Sequence, residues 1–120
     1  MIEGEFRGEA PYITLTLTGE QDVADVAFVV DTGYTGYLAV PETILRAIGA
    51  ATQGTRYIGL ADGSFRRGTI YTVTVEWEDE EREIEVIALN DEPLLGVAMM
   101  RSLRLLVEVT NGGDVLLEPL

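Results

Sequence analysis

Strict alternation of apolar and polar residues is the feature that most limits the fold of this chain. Across residues 12–18 every second residue is apolar, which places Ile13, Leu15 and Leu17 on one face. Residues 70–77 follow the same period of two. Successive side chains of a β-strand point to opposite faces, so this period predicts strands with one buried face. The chain is therefore expected to be mostly β.

The other segments complete a single predicted domain. Residues 27–30 are apolar at four consecutive positions, so the strand at 23–30 is expected to be buried on both faces. No linker or repeat divides residues 1–120, which are predicted to form one small closed β-barrel. Further strands are predicted at 56–60, 65–77, 82–89, 105–109 and 115–118, and short helices at 41–48 and 97–103.

The composition excludes several kinds of chemistry. The chain contains no histidine, cysteine or lysine, which removes Ser-His-Asp and Cys-His triads, zinc sites built on those ligands, and Schiff bases. The two serines, Ser64 and Ser102, have no base of the usual kind. An enzyme of this composition would use carboxylates, tyrosines, arginines or backbone groups. We expect no cofactor and no metal.

The charge is strongly negative, with 21 acidic against 8 basic residues and a net charge of −13. Such a surface repels phosphate backbones and anionic membranes, so neither nucleic acid nor a membrane is an expected partner. Seven acidic residues between positions 76 and 85 are interpreted as a solvated hairpin tip, with repulsion of acidic partners or adaptation to high salt as the alternatives. The acidic first five residues do not resemble a secretory signal, so a cytoplasmic location is expected.

Asp31 follows directly on the apolar run 28–30 and precedes Thr32 and Gly33. A carboxylate at the end of an apolar strand is costly unless it is hydrogen-bonded, paired or protonated. Thr32 offers a hydroxyl, and Gly33 allows a sharp turn that presents backbone amides to the carboxylate. These three residues alone are also compatible with an ordinary turn, so their context decides the interpretation.

The context consists of three further elements. The motif continues as Asp-Thr-Gly-Tyr-Thr-Gly over residues 31–36, and a hairpin with an Asp-Gly turn at 62–63 follows. Leu94, Leu95 and Gly96 then precede the second predicted helix. From about residue 12 to residue 117, this arrangement resembles the retropepsin-like aspartic proteases, and within them the small single-domain prokaryotic branch.

The resemblance implies a homodimer that hydrolyses a peptide or protein substrate. Aspartic proteolysis needs two carboxylates, and the chain has one Asp-Thr-Gly, so the second Asp31 would come from another copy across a two-fold axis. The family implies that Thr32 joins the two loops and that Leu94, Leu95 and Gly96 pack behind them. It also implies that the hairpin is a mobile flap. The expected substrate-binding residues are Tyr34, Leu60, Ala61, Asp62, Gly63 and Ser64.

The chain departs from the viral members of this family at three positions. Those members have alanine and aspartate after the motif glycine and arginine after the downstream glycine, where this chain has Tyr34, Thr35 and Val97. Both halves of an ion pair are therefore missing together. Tyr34 either narrows the pocket or simply packs.

Three interpretations stay open: an aspartic endopeptidase, a non-catalytic module of the same fold that dimerises or binds peptides, and a plain structural β-domain. The intact Asp-Thr-Gly favours the enzyme. Arg66 and Arg67 could contact an acidic substrate, although solvated positions are the simpler interpretation. Met99 and Met100 are expected to pack in the core.

Overall fold

A computed structural model describes residues 1–59, 62–89 and 92–120 of the chain. It is mostly β, with 59% strand and 9% helix. Within the described part of the chain, no helix is long and apolar enough to cross a membrane. The elements are β1 (Ile2–Arg7), β2 (Ala10–Thr18), β3 (Val23–Val30), β4 (Leu38–Ala39), α1 (Glu42–Ala47), β5 (Ala51–Gly59), β6 (Phe65–Trp77), β7 (Glu80–Ala88), β8 (Leu94–Leu95), a 3₁₀ helix (Val97–Met100), β9 (Leu103–Val107) and β10 (Asp114–Pro119).

All ten of these strands belong to one sheet, in the order β5-β6-β7-β4-β8-β3-β2-β1-β10-β9. Most neighbours are antiparallel, but β8 runs parallel to β3 and β4 runs parallel to β7. Strand β2 also pairs with β6 at Leu17 and Thr18. The pairings from β6 through β7, β4, β8, β3 and β2 therefore return to β6 and form a closed circuit. The retropepsin-like form of this sheet stays a prediction.

The core is built from the alternating faces that the sequence predicts. Ile13, Leu15 and Leu17 of β2 are buried, and so are the four alternating residues of β6 from Tyr71 to Trp77. Helix α1 buries Leu45. Met99 and Met100 are also buried, which confirms that they pack in the core. The predicted position of the first helix and the predicted core faces of β2 and β6 are thus confirmed.

Strand β3 does not have the predicted burial on both faces. Val26, Phe28 and Val30 are buried, whereas Ala27 on the opposite face is exposed and Val29 is only partly buried. An alanine contributes little apolar area, so its position within an apolar run did not indicate a neighbour on that face.

The second predicted helix is shorter than expected. Residues 97–103 were predicted as helical, but the 3₁₀ helix ends at Met100, Ser102 has a φ of 67° and Leu103 already belongs to β9. The positive φ reverses the chain at that point. The strands β1, β4 and β8 were not predicted at all, although Ile2, Gly4 and Phe6 of β1 alternate with charged residues.

Candidate active site

Asp31 lies directly after β3, where that strand runs beside the two-residue strand β8. Its backbone amide donates a hydrogen bond of 2.9 Å to the carbonyl oxygen of Leu95, and the Val29 amide donates one of 2.9 Å to Pro93. Val30 and Leu95, which are register partners, are both buried. The backbone of Asp31 is therefore fixed to the core, while its side chain is half-buried at the end of the strand.

The loop between β3 and β4, residues 31–37, is called the Asp31 loop and turns around the Asp31 carboxylate. The Gly33 amide donates a hydrogen bond of 2.9 Å to Asp31 Oδ1, and the Tyr34 amide donates one of 3.1 Å to the Asp31 carbonyl oxygen. A Cβ atom on Gly33 would lie 3.2 Å from Oδ1, which is tighter than a usual contact. Glycine thus lets its amide approach the carboxylate closely. Thr32 and Gly33 are exposed in the single chain.

This geometry suits acid–base chemistry. In the described part of the chain, the Asp31 side chain accepts this hydrogen bond through Oδ1. A carboxylate held by one oxygen keeps a fixed direction, and its other oxygen can exchange a proton with a water or a substrate.

The segment Leu94–Gly96 lies against this loop. The Gly96 amide donates a hydrogen bond of 2.8 Å to Tyr37, the Val97 amide donates one of 2.8 Å to Tyr34, and the Ala98 amide donates one of 3.2 Å to Gly36. A Cβ atom on Gly96 would overlap the Gly36 carbonyl oxygen. Three consecutive backbone amides therefore hold the loop.

Tyr34 packs and also lines a cleft. Its half-buried ring lies on the small apolar cluster of Ala39, Ile70 and Ile87, close to Gly36 and Gly96. Burial raises the pKa of the Tyr34 hydroxyl above its ordinary value of 10.0. Tyr34 therefore packs, as one of the two interpretations from the sequence expected, and its role in a substrate pocket stays a prediction.

The cleft has a volume of about 310 Å³ and is lined on one side by residues 34–38, whereas Asp31, Thr32 and Gly33 do not line it. Ile58, Ile70 and Ile87 contribute apolar lining. At its polar side, Arg56 and Glu85 form an ion pair with an N–O distance of 3.3 Å. None of these five residues was predicted as part of a site. They come from three different strands, and no local pattern indicates which strands lie beside the loop.

The hairpin of β5 and β6 adjoins the same cleft through Ile58 and Ile70. At its tip, Asp62 Oδ1 accepts hydrogen bonds from the Ser64 amide, at 2.9 Å, and from the Ser64 hydroxyl. Both hydrogen bonds lower the pKa of the Asp62 carboxyl below its ordinary value, and the bond from the Ser64 hydroxyl has the larger effect. Gly63 has a φ of 85°, as the turn requires. Leu60 and Ala61, also predicted for this flap, lie outside the described residues.

The Asp62 carboxylate is therefore engaged in its own turn. The structure brings Asp62 and Ser64 together at the hairpin tip. Separately, it places the Asp31 loop against the segment Leu94–Gly96. The described part of the chain contains no group of three or more acidic side chains that could hold a metal ion.

Comparisons with known proteins do not identify a family. No protein-family model, no curated protein and no solved structure matches this chain.

Proposed function

We propose that this protein is an aspartic endopeptidase of retropepsin-like fold, active as a two-fold homodimer in which two Asp31 carboxylates act together. The observation that carries the proposal is the setting of Asp31, whose Oδ1 accepts a hydrogen bond from the Gly33 amide at the end of β3. The closed circuit of strand pairings is compatible with the closed barrel of that family. In this proposal the enzyme is cytoplasmic, uses no cofactor and cleaves a peptide or protein.

Hydrolysis of a peptide bond by carboxylates needs two such groups. One accepts a proton from the attacking water, and the other donates a proton to the carbonyl oxygen of the substrate. The chain has one Asp-Thr-Gly, and Asp62 is bound to Ser64. A second copy supplies the missing Asp31, since two-fold symmetry places equivalent residues opposite each other.

The shared proton determines how activity depends on pH. Two neighbouring carboxylates repel each other when both are ionised, so the active dimer holds one proton between them. Activity then falls as the pH rises and that proton is lost. The dimer also weakens over the same range, because separated subunits can ionise without this repulsion.

A non-catalytic module of the same fold, which dimerises or binds peptides, is the alternative. The cleft beside Tyr34 would serve a peptide-binding module equally well. The hydrogen bond that the Gly33 amide donates to the Asp31 side chain favours the enzyme, because a binding module has no need of a carboxylate there.

The decisive experiment compares wild type with Asp31→Asn on a random peptide library at several acid pH values, with and without pepstatin. We expect cleavage by wild type that pepstatin inhibits, and none by Asp31→Asn. Circular dichroism should show that the variant keeps the fold, and its dimer should be at least as stable as that of the wild type. Asp114→Asn, a change of the same kind at an exposed position of β10, is the matched control and should cleave normally. Equal cleavage by wild type and Asp31→Asn would refute the mechanism.

A further inference from the structure

The hairpin of β5 and β6 is a positively charged part of a strongly acidic molecule. Three of the eight basic residues, Arg56, Arg66 and Arg67, lie between positions 56 and 67. This segment contains one acidic residue, Asp62, so its net charge is 3 − 1 = +2 against −13 for the chain. Asp62 is also engaged by Ser64. A ligand that lies along this hairpin therefore meets a local positive charge.

The strand register assigns the two neighbouring arginines to opposite faces of the hairpin. Arg66 is the partner of Ile58, and Arg67 is the partner of Tyr57. Residues directly opposite each other in an antiparallel pair share a face. Because Ile58 lines the cleft, its register partner Arg66 lies on the same face of the hairpin, beyond the residues that line the cleft. Arg67 lies on the other face, where its Nε donates a hydrogen bond of 3.2 Å to the Thr55 hydroxyl.

Arg56 also lines the cleft, but its charge is already matched. It forms the ion pair with Glu85, and both side chains are more than half exposed. Arg66 is exposed and has no carboxylate partner within residues 1–59, 62–89 and 92–120. The charge that a ligand would meet on the cleft face is therefore that of Arg66.

The cleft beside this arginine is apolar. Ile58, Ile70 and Ile87 line it, and its volume lies at the lower end of the range of about 300–1,000 Å³ for ligand pockets. Gly68 sits opposite Arg56 in the register, and a Cβ atom there would lie 2.7 Å from Ile87 Cδ1. The glycine thus allows Ile87 to approach the hairpin closely. An apolar side chain fits this cleft, and a charged group of a ligand would extend toward Arg66.

We propose that the cleft selects a peptide in which an acidic side chain stands two residues away from an apolar one. The apolar side chain occupies the cleft, and the carboxylate pairs with Arg66. In an extended peptide, residues two apart point to the same face, which matches a cleft and an arginine on one face of the hairpin. This proposal rests on the proposed function for cleavage, but it concerns recognition and can be tested by binding alone.

The test uses two peptides that differ by one Glu→Gln change two residues from a leucine, at about pH 5, where glutamate is mostly ionised. Cleavage is measured with wild type, and binding is measured with Asp31→Asn by fluorescence anisotropy. Arg66→Gln and Arg67→Gln are the matched variants, since they remove the same charge from adjacent positions on opposite faces.

We expect the glutamate peptide to be preferred about three- to tenfold, as for a partly solvated charged pair. Arg66→Gln should abolish this preference by raising KM for the glutamate peptide. Arg67→Gln should leave the preference within about twofold of its original value, and Arg66→Glu should shift it to a lysine peptide.

Each outcome decides the proposal. Cleavage by wild type without a preference for glutamate, or equal effects of Arg66→Gln and Arg67→Gln, would overturn it and leave the proposed protease standing. The glutamate peptide could instead bind Asp31→Asn in a way that depends on Arg66 while wild type cleaves neither peptide. This result would support the recognition site and refute the proposed protease. A chain that neither cleaves nor binds either peptide would overturn both.

Discussion

Replacement of Gly96 by alanine tests how the Asp31 loop is held. The added Cβ would lie 2.6 Å from Tyr34 Cδ2 and 2.8 Å from the Tyr34 carbonyl oxygen, besides overlapping the Gly36 carbonyl oxygen. Two of these atoms belong to the backbone, so a change of side-chain rotamer does not relieve the overlap. The loop and the segment after β8 would have to move apart.

The expected loss of stability has three contributions. Overpacking of this kind costs about 1–3 kcal/mol. Separation of the segments weakens one or two of the amide hydrogen bonds to the loop, at about 0.5–1.5 kcal/mol each. Alanine also stabilises the protein by about 0.4–1 kcal/mol, because it restricts the unfolded chain more than glycine does. This gain is not offset by backbone strain, since the φ of −98° and ψ of 174° at Gly96 suit any residue. We expect the variant to be less stable by about 2–3 kcal/mol.

Urea unfolding followed by the fluorescence of Trp77 measures this loss. Trp77 is the single tryptophan and is buried, so unfolding exposes it. With a slope of about 1–3 kcal/mol per molar urea, the midpoint should fall by about 1–2 M. Gly59→Ala is the control, because the nearest atom to its added Cβ is 3.7 Å away. It should stay within about 0.5 kcal/mol of wild type. Equal midpoints for the two variants at one protein concentration would refute the argument that Gly96 is needed for close approach.

Three further predictions concern the assembly and the hairpin. Sedimentation at rising concentration should show a reversible homodimer. A monomer at every concentration would refute the proposed enzyme, since one carboxylate cannot perform both roles. Amides of β5, an edge strand with mostly exposed residues, should exchange with deuterium faster than those of β2. Equal protection of the two strands would refute the assignment of this hairpin as a mobile flap. The Asp62 carboxyl should titrate below 3.8 in an NMR experiment, because Ser64 lowers its pKa. The hydrogen bonds to ionised Asp62 stabilise the turn above the ordinary pKa and are lost as the pH falls through the lowered value, so unchanged protection of the Ser64 amide across that range would contradict this account.

The parts of the fold that follow from local pattern could be predicted from the sequence. The period of two in β2 and β6 identified their buried faces, because strand geometry links period to face directly. The end of the apolar run at Val30 also located Asp31 at a strand end. Two-residue strands carry no period, so the pairing of β4 with β7 and β8 could not be predicted. It depends on partners from distant parts of the chain.

The candidate site divides in the same way. The Asp31 loop follows from one continuous motif, and the Gly33 amide reaches the carboxylate of a residue only two positions away. The cleft combines Ile58, Ile70 and Ile87 from three strands with the Arg56–Glu85 pair. That combination is set by the register between strands, which the sequence alone did not reveal. Arg66 and Arg67 are equivalent by composition, and only the register separates their faces.

The ladder between β1 and β10 has a consequence for how the chain folds. Ile2 pairs with Leu117, whereas β5, β6 and β7 pair with their neighbours along the chain. Closing a long loop costs more conformational entropy than closing a short one, so the local β5–β6–β7 meander can form early and the β1–β10 ladder closes late. Until it closes, the backbone groups along one side of β1 have no strand partner. The interval between synthesis and closure is therefore the period in which a newly made chain is most exposed to edge-to-edge aggregation.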